Sequence, residues 1–142
     1  MKRTRKILFV CIGNSCRSQM AEAFARAYGG DLIAPASAGV YPAHIVAPDT
    51  VRAMAEKNLS LVGHMPKSIE QVDRSHFDLI VDMSGGELEP ASGPPVRVWD
   101  VPDPVTLNYA DHCKVRDQIE QLVQDLIREL RNKKPKRMAL SW

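Results

Sequence analysis

Ile7-Leu8-Phe9-Val10 is apolar at every position and runs directly into Cys11 and a polar loop. A strand with one wet face alternates; an unbroken apolar run predicts a strand buried on both faces, which needs material packed above and below its sheet. A parallel sheet flanked by helices is the main architecture that supplies this. The rest of the chain provides the alternating pieces. Met20, Phe24, Ala27 and Tyr28 recur at helical spacing and Gly29-Gly30 stops them. Residues 32–40 read as a second strand, placed at an edge because Pro35 cannot donate to a ladder.

Pro48 and Asp49 suit the first turn of a helix extending to residue 58, with Val51, Met54 and Ala55 facing inward. Ser68 caps a short turn over 69–72, and strands follow at 77–83 and 96–99, separated by a loop rich in Gly, Pro and Ser. Val115, Ile119, Leu122, Val123, Leu126, Ile127 and Leu130 form one stripe on a long final helix over 111–131. The expected fold is α/β, with a four-stranded parallel twisted sheet, helices on both faces and one domain over 1–142. A basic tail from about 132 to 142 reads as a solvated end. Right-handed crossovers bring the loops after strands one and four to the same carboxyl edge, where ligands bind.

A formal charge of +2 on 142 residues is too small for a dedicated nucleic-acid binder, and no apolar run is long enough for a membrane span. Three cysteines, an odd number, argue for free thiols in a reducing, cytoplasmic setting. The four histidines have no metal-ligand spacing with them and read as loop or surface residues, so no metal or other cofactor is expected.

The chemistry concentrates in Cys11-Ile12-Gly13-Asn14-Ser15-Cys16-Arg17-Ser18, between the first strand and the first helix. Successive backbone N–H groups in such a turn, with those of the helix that follows, form a nest for a tetrahedral dianion. Gly13 and Asn14 tolerate the left-handed backbone that the curl needs. The same field favours thiolate over thiol at Cys11, making it the candidate nucleophile, and Ser18 can donate to its sulfur. Arg17 offers a permanently charged fork for two oxygens at once. A second unusual segment, Asp100-Val101-Pro102-Asp103-Pro104, supplies a general acid. Asp103, stiffened by its flanking prolines, is the first candidate and Asp100 the second.

Taken with Ser37-Ala38-Gly39, these segments resemble the low-molecular-weight protein tyrosine phosphatase superfamily, which includes related arsenate reductases. The resemblance covers nearly the whole chain. It implies a phosphocysteine on Cys11, oxyanion binding by Arg17 and the amides of residues 12–16, and Asp103 as acid and then base. It also implies a bracing role for Asn14 with Ser37 as partner, and a second loop cysteine, Cys16, able to form a reversible disulfide with the nucleophile. Where some arsenate reductases hold potassium, near the equivalents of Asn14, Glu22 and Ser37, this chain has Lys67, whose ammonium would replace the ion.

Three functions follow as expectations. The first is a phosphomonoester hydrolase acting on aryl phosphates, including phosphotyrosine on proteins. The second is an arsenate reductase coupled to a small thiol such as glutathione, with glutaredoxin, or mycothiol. A thioredoxin-type relay is closed, because residues 83–99 contain no cysteine and Cys113 lies on the last helix. The third is a non-catalytic oxyanion-binding regulatory protein. The wording from Asn14 to Glu22, and Val105-Thr106 in place of an aromatic pair after Asp-Pro, lean toward the reductase branch.

Overall fold

The computed structural model describes residues 3–132; the basic tail lies outside them from residue 133 onward. Four strands, β1 (Arg5–Cys11), β2 (Ile33–Gly39), β3 (Leu79–Asp82) and β4 (Val96–Val98), form one sheet in the order β2-β1-β3-β4. All three pairings are parallel. The helices are α1 (Arg17–Gly29), α2 (Pro48–Ala55) and α3 (Tyr109–Asn132), with short 3₁₀ turns at Ile69–Gln71, Arg74–His76 and Pro104–Thr106.

β1 lies in the middle, which is why its sequence is apolar throughout: every residue of Ile7–Val10 is fully buried. Its side chains alternate between two cores. Ile7, Phe9 and Cys11 pack with Met20 and Phe24 of α1, Met54 of α2 and the α3 stripe from Val115 to Leu130. Leu8 and Val10 pack with Ile80 of β3 and with Ile69 of the first 3₁₀ turn, where Val72, Phe77 and Leu88 close the layer. The β1–β2 and β2–β3 connections run in opposite directions across the sheet, so right-handed crossovers place them on opposite faces.

The first 3₁₀ turn starts as expected at Ser68, whose hydroxyl accepts from the Glu70 N–H. α2 ends three residues before the expected 58, and Asn58 has a left-handed φ of 61° in the turn that follows. Asparagine tolerates that conformation better than most residues. The register pairs Cys11 with Gly39 and Asp82 with Val98, so the ends of β1, β2, β3 and β4 open on one edge.

Candidate active site

Cys11 is the last residue of β1 and Arg17 the first of α1, so the residues between them must reverse the chain within one short turn. The segment after β2 fixes how they do so. Val40, Tyr41, Ala43 and Ala47 donate their N–H groups to the carbonyls of Cys11, Ile12, Gly13 and Ser15, at 2.8–3.1 Å. All peptides among the described residues are trans, so each N–H points opposite to the carbonyl of its own peptide plane. The amides of Ile12, Gly13, Asn14 and Cys16 are therefore turned away from that segment. Asn14 takes the left-handed backbone, φ 51°, that the curl requires. The N-cap residue Cys16 makes no side-chain cap hydrogen bond to α1, and of the first-turn amides the Ser18 N–H is directed at the Cys11 sulfur.

Gly39 explains part of the Ser37-Ala38-Gly39 signal. A Cβ there would lie 2.6 Å from the Ile12 carbonyl oxygen and 2.8 Å from the Asn14 nitrogen. β2 thus approaches the loop so closely that only glycine fits.

A short series of donors leads to the sulfur. The Asn14 amide donates to Ser18 Oγ at 2.7 Å, leaving the Ser18 hydroxyl hydrogen for Cys11 Sγ at 2.9 Å, and the Ser18 N–H also approaches the sulfur at 3.4 Å. Asn14 Oδ1 in turn accepts from the Lys67 N–H and the Gln19 side chain. Ser37, expected as the partner of Asn14, instead donates to Glu22 Oε1 at 2.5 Å, because the nearby carboxylate is the stronger acceptor. The expected role of the Lys67 ammonium is likewise corrected. Lys67 contributes its backbone N–H to Asn14, and the cation that meets Glu22 is Arg26, at 2.8 Å.

Arg17 is buried and anchored by one side of its guanidinium. Nη1 donates to the carbonyls of Met83 and Val101, at 2.6 and 3.1 Å. Nε has no partner, and Nη2 meets Asp103 Oδ2 at 3.4 Å. The Nε/Nη2 edge is therefore the fork available to an oxyanion. Asp103 caps the 3₁₀ turn Pro104–Thr106 through the Val105 N–H, with its carboxyl partly exposed. It lines a cavity of about 160 Å³ with Cys11, the loop and Arg17, whereas Asp100 does not. Ala43 and Val105 complete the wall.

Cys16 also faces this cavity. Burial pushes its thiol up, partly offset by hydrogen bonds with Thr50 and Ser15. The sequence did not single out Thr50, and it grouped His112 with the surface histidines. In the structure His112 is buried on α3, with Nε2 3.0 Å from Thr50 Oγ1. Burial pushes its imidazole down, against the attraction of Asp49 and Asp103. Cys113 is half-buried on α3 beside Tyr109 and Arg116 and does not line the Cys11 cavity. Among the described residues no cluster of His, Cys, Asp and Glu is arranged to hold a metal ion, and no helix is long and apolar enough to cross a membrane.

Comparison with known proteins agrees with this geometry. The family model described as low molecular weight phosphotyrosine protein phosphatase matches residues 6–136. An arsenate reductase of Bacillus cereus (strain 03BB102) is 35% identical over 128 residues, covering 87% of this chain and 95% of its own length. The solved structure of an arsenate reductase in the phosphate binding state superposes with a TM-score of 0.82 at 29% identity, covering 89% of this chain and 99% of that one. A low molecular weight protein tyrosine phosphatase from T. tengcongensis, 24% identical, covers 89% of this chain and 100% of its own and shares the fold with a TM-score of 0.80.

Proposed function

Because the chain belongs to the low molecular weight phosphotyrosine protein phosphatase family, we propose that it hydrolyses aryl phosphomonoesters, phosphotyrosine on proteins among them, through a phosphocysteine on Cys11. One observation carries this reading: Arg17, whose Nε has no partner and whose Nη2 meets the Asp103 carboxylate at 3.4 Å, borders the same cavity as Asp103 and Cys11. The fork and the amides of residues 12–16 hold the phosphoryl oxygens while the sulfur attacks phosphorus. The Asp103 carboxylic acid gives its proton to the departing oxygen. The resulting carboxylate then takes a proton from the water that attacks phosphorus and breaks the S–P bond. Ser18, backed by Asn14, stabilises the sulfur as leaving group in this second step.

The wall of the cavity favours an ester over an inorganic ion. Ala43 and Val105 line it, and the exposed Tyr41 lies two residues before Ala43 in sequence. An aryl group gains from apolar and aromatic neighbours; a bare arsenate ion does not. A second reading has its own support, since curated relatives at 35% identity are arsenate reductases. In that reading the same cup takes arsenate, and a small external thiol supplies the electrons.

A paired assay separates the readings. The purified protein is given p-nitrophenyl phosphate, and separately arsenate with thioredoxin, with glutaredoxin and glutathione, or with mycothiol. Hydrolysis lost in Cys11→Ser, without arsenite formation, is the expected result. Arsenite formation without hydrolysis establishes the reductase, and tight phosphate binding with neither activity establishes a regulatory binder.

A further inference from the structure

The anion loop is also held by a buried amide that takes no direct part in the chemistry. Gln19, in the first turn of α1, is 1% exposed. Its Nε2 lies 3.2 Å from the main-chain carbonyl oxygen of Asn14, 3.2 Å from Asn14 Oδ1 and 3.3 Å from the carbonyl oxygen of Met65. Its Oε1 lies 3.3 Å from Nδ1 of the half-buried His64. The segment 64–67 thus engages Gln19 twice, and it engages Asn14 directly through the Lys67 N–H, 2.8 Å from Oδ1. The Lys67 carbonyl in turn accepts from the Gly39 N–H.

The hydrogens in this group can be assigned from its main-chain members. The carbonyls of Asn14 and Met65 can only accept, so the end of the Gln19 amide that faces both is the NH2 end, and Oε1 accepts from His64 Nδ1–H. The Lys67 N–H can only donate, so the Asn14 atom it meets is the oxygen. The Asn14 NH2 is then the end directed at Ser18 Oγ, 2.7 Å away, and the Ser18 hydroxyl gives its hydrogen to Cys11 Sγ, at 2.9 Å. From His64 through Gln19, Asn14 and Ser18, every hydrogen points toward the sulfur.

We propose that Gln19 is a positioning residue for the nucleophile: by holding Asn14 at both its main-chain carbonyl and its side-chain oxygen, it keeps the Ser18 hydroxyl hydrogen aimed at Cys11. The assignment rests on the phosphatase reading above, in which Ser18 eases departure of the sulfur from phosphorus in the second step. Asn14 needs the hold for two reasons. Its φ of 51° is a left-handed conformation that residues with side chains adopt at a cost. Its amide can also turn over, and an oxygen facing Ser18 Oγ would draw the hydroxyl hydrogen away from the sulfur. Two donors on Oδ1, one from Lys67 and one from Gln19, oppose that turn, because it would set both against an NH2 group.

The test separates the two chemical steps by rapid-quench kinetics with p-nitrophenyl phosphate. Gln19→Met keeps the bulk of the side chain and removes its donors. Breakdown of the phosphocysteine should slow about tenfold, while its formation and inhibition by inorganic phosphate change by less than about twofold. The variant should therefore show a burst of p-nitrophenolate before a slower steady state. If Gln19 acts through Ser18, adding Gln19→Met to Ser18→Ala should slow breakdown by less than about twofold more. Equal slowing of both steps, or losses that multiply in the double variant, would overturn the assignment. Should Gln19→Met not fold, Gln19→Glu decides by the same comparison. It has nearly the native shape but sets an oxygen against the two Asn14 oxygens. Its charge acts with or without the Ser18 hydroxyl, so a greater loss in the presence of that hydroxyl supports the assignment and an equal loss overturns it. Absence of wild-type hydrolysis stands apart: it would overturn the phosphatase reading, and the role built on it, before any variant is compared.

Discussion

At Arg17 the geometry asks for a particular side chain as well as a positive charge. Its guanidinium is held on two sides: Nη1 donates to two main-chain carbonyls, and Nη2 meets Asp103, which lines the same cavity, while Nε is left without a partner. Lysine has one nitrogen and cannot serve both directions. Arg17→Lys should therefore lower kcat by about a hundredfold or more and weaken competitive inhibition by phosphate, with the fold retained by circular dichroism. Near-normal turnover would show that charge alone suffices. These residues were legible in the sequence because the whole cup is one contiguous stretch, in which spacing alone gives proximity. Ser37 was misread for the opposite reason. Its choice between Asn14 and Glu22 depends on how α1 lies across β2, which no local pattern records.

The same contrast holds between elements. The loop is shaped less by its own sequence than by β2 and the residues after it, which hold its carbonyls from outside. Gly39 is the point of closest approach, where an added methyl meets main-chain atoms that cannot rotate aside. Gly39→Ala should cost about 1–3 kcal/mol in urea denaturation, as overpacking does, and should reduce turnover further by displacing the Ile12 and Asn14 amides. A variant with wild-type kcat/KM would show that the loop does not need its position against β2. The element types were readable from periodicity, since β1 is apolar throughout and α3 carries one stripe. The contact between α2 and α3 through Thr50 and His112 was not. Thr50 and His112 lie 62 positions apart, and a single histidine in a helix gives no sign that its ring will be buried against a threonine of another helix.

For the molecule as a whole, the buried imidazole links folding to pH. Burial pushes His112 below its ordinary value of 6.5, outweighing Asp49 and Asp103. As pH falls through 6.5 the unfolded chain takes up a proton that the folded chain resists, so protons favour unfolding and stability declines. One such group gives a slope of at most about 1.4 kcal/mol per pH unit. Chemical denaturation between pH 7 and pH 5 should show this component in the wild type and not in His112→Gln; identical profiles would mean that the ring titrates as freely as in the unfolded chain. The fold class was readable from the sequence because strand and helix patterns alternate along it; the order of the strands in the sheet came from the structure. The choice between an ester and arsenate was not, because it depends on which exposed side chains, Tyr41 and Val105 among them, surround a shared cup.

Trapping the covalent intermediate tests the central claim, a cup that delivers phosphorus to the Cys11 sulfur. Asp103→Asn should still release p-nitrophenolate in the first step, since that group departs without a proton, but should be slow to activate the water that frees the enzyme. Rapid-quench kinetics should then give a burst of p-nitrophenolate equal to the enzyme concentration, with the phosphoryl group found on the Cys11 peptide by mass spectrometry. A linear time course with no phosphoryl group on Cys11 would contradict the account.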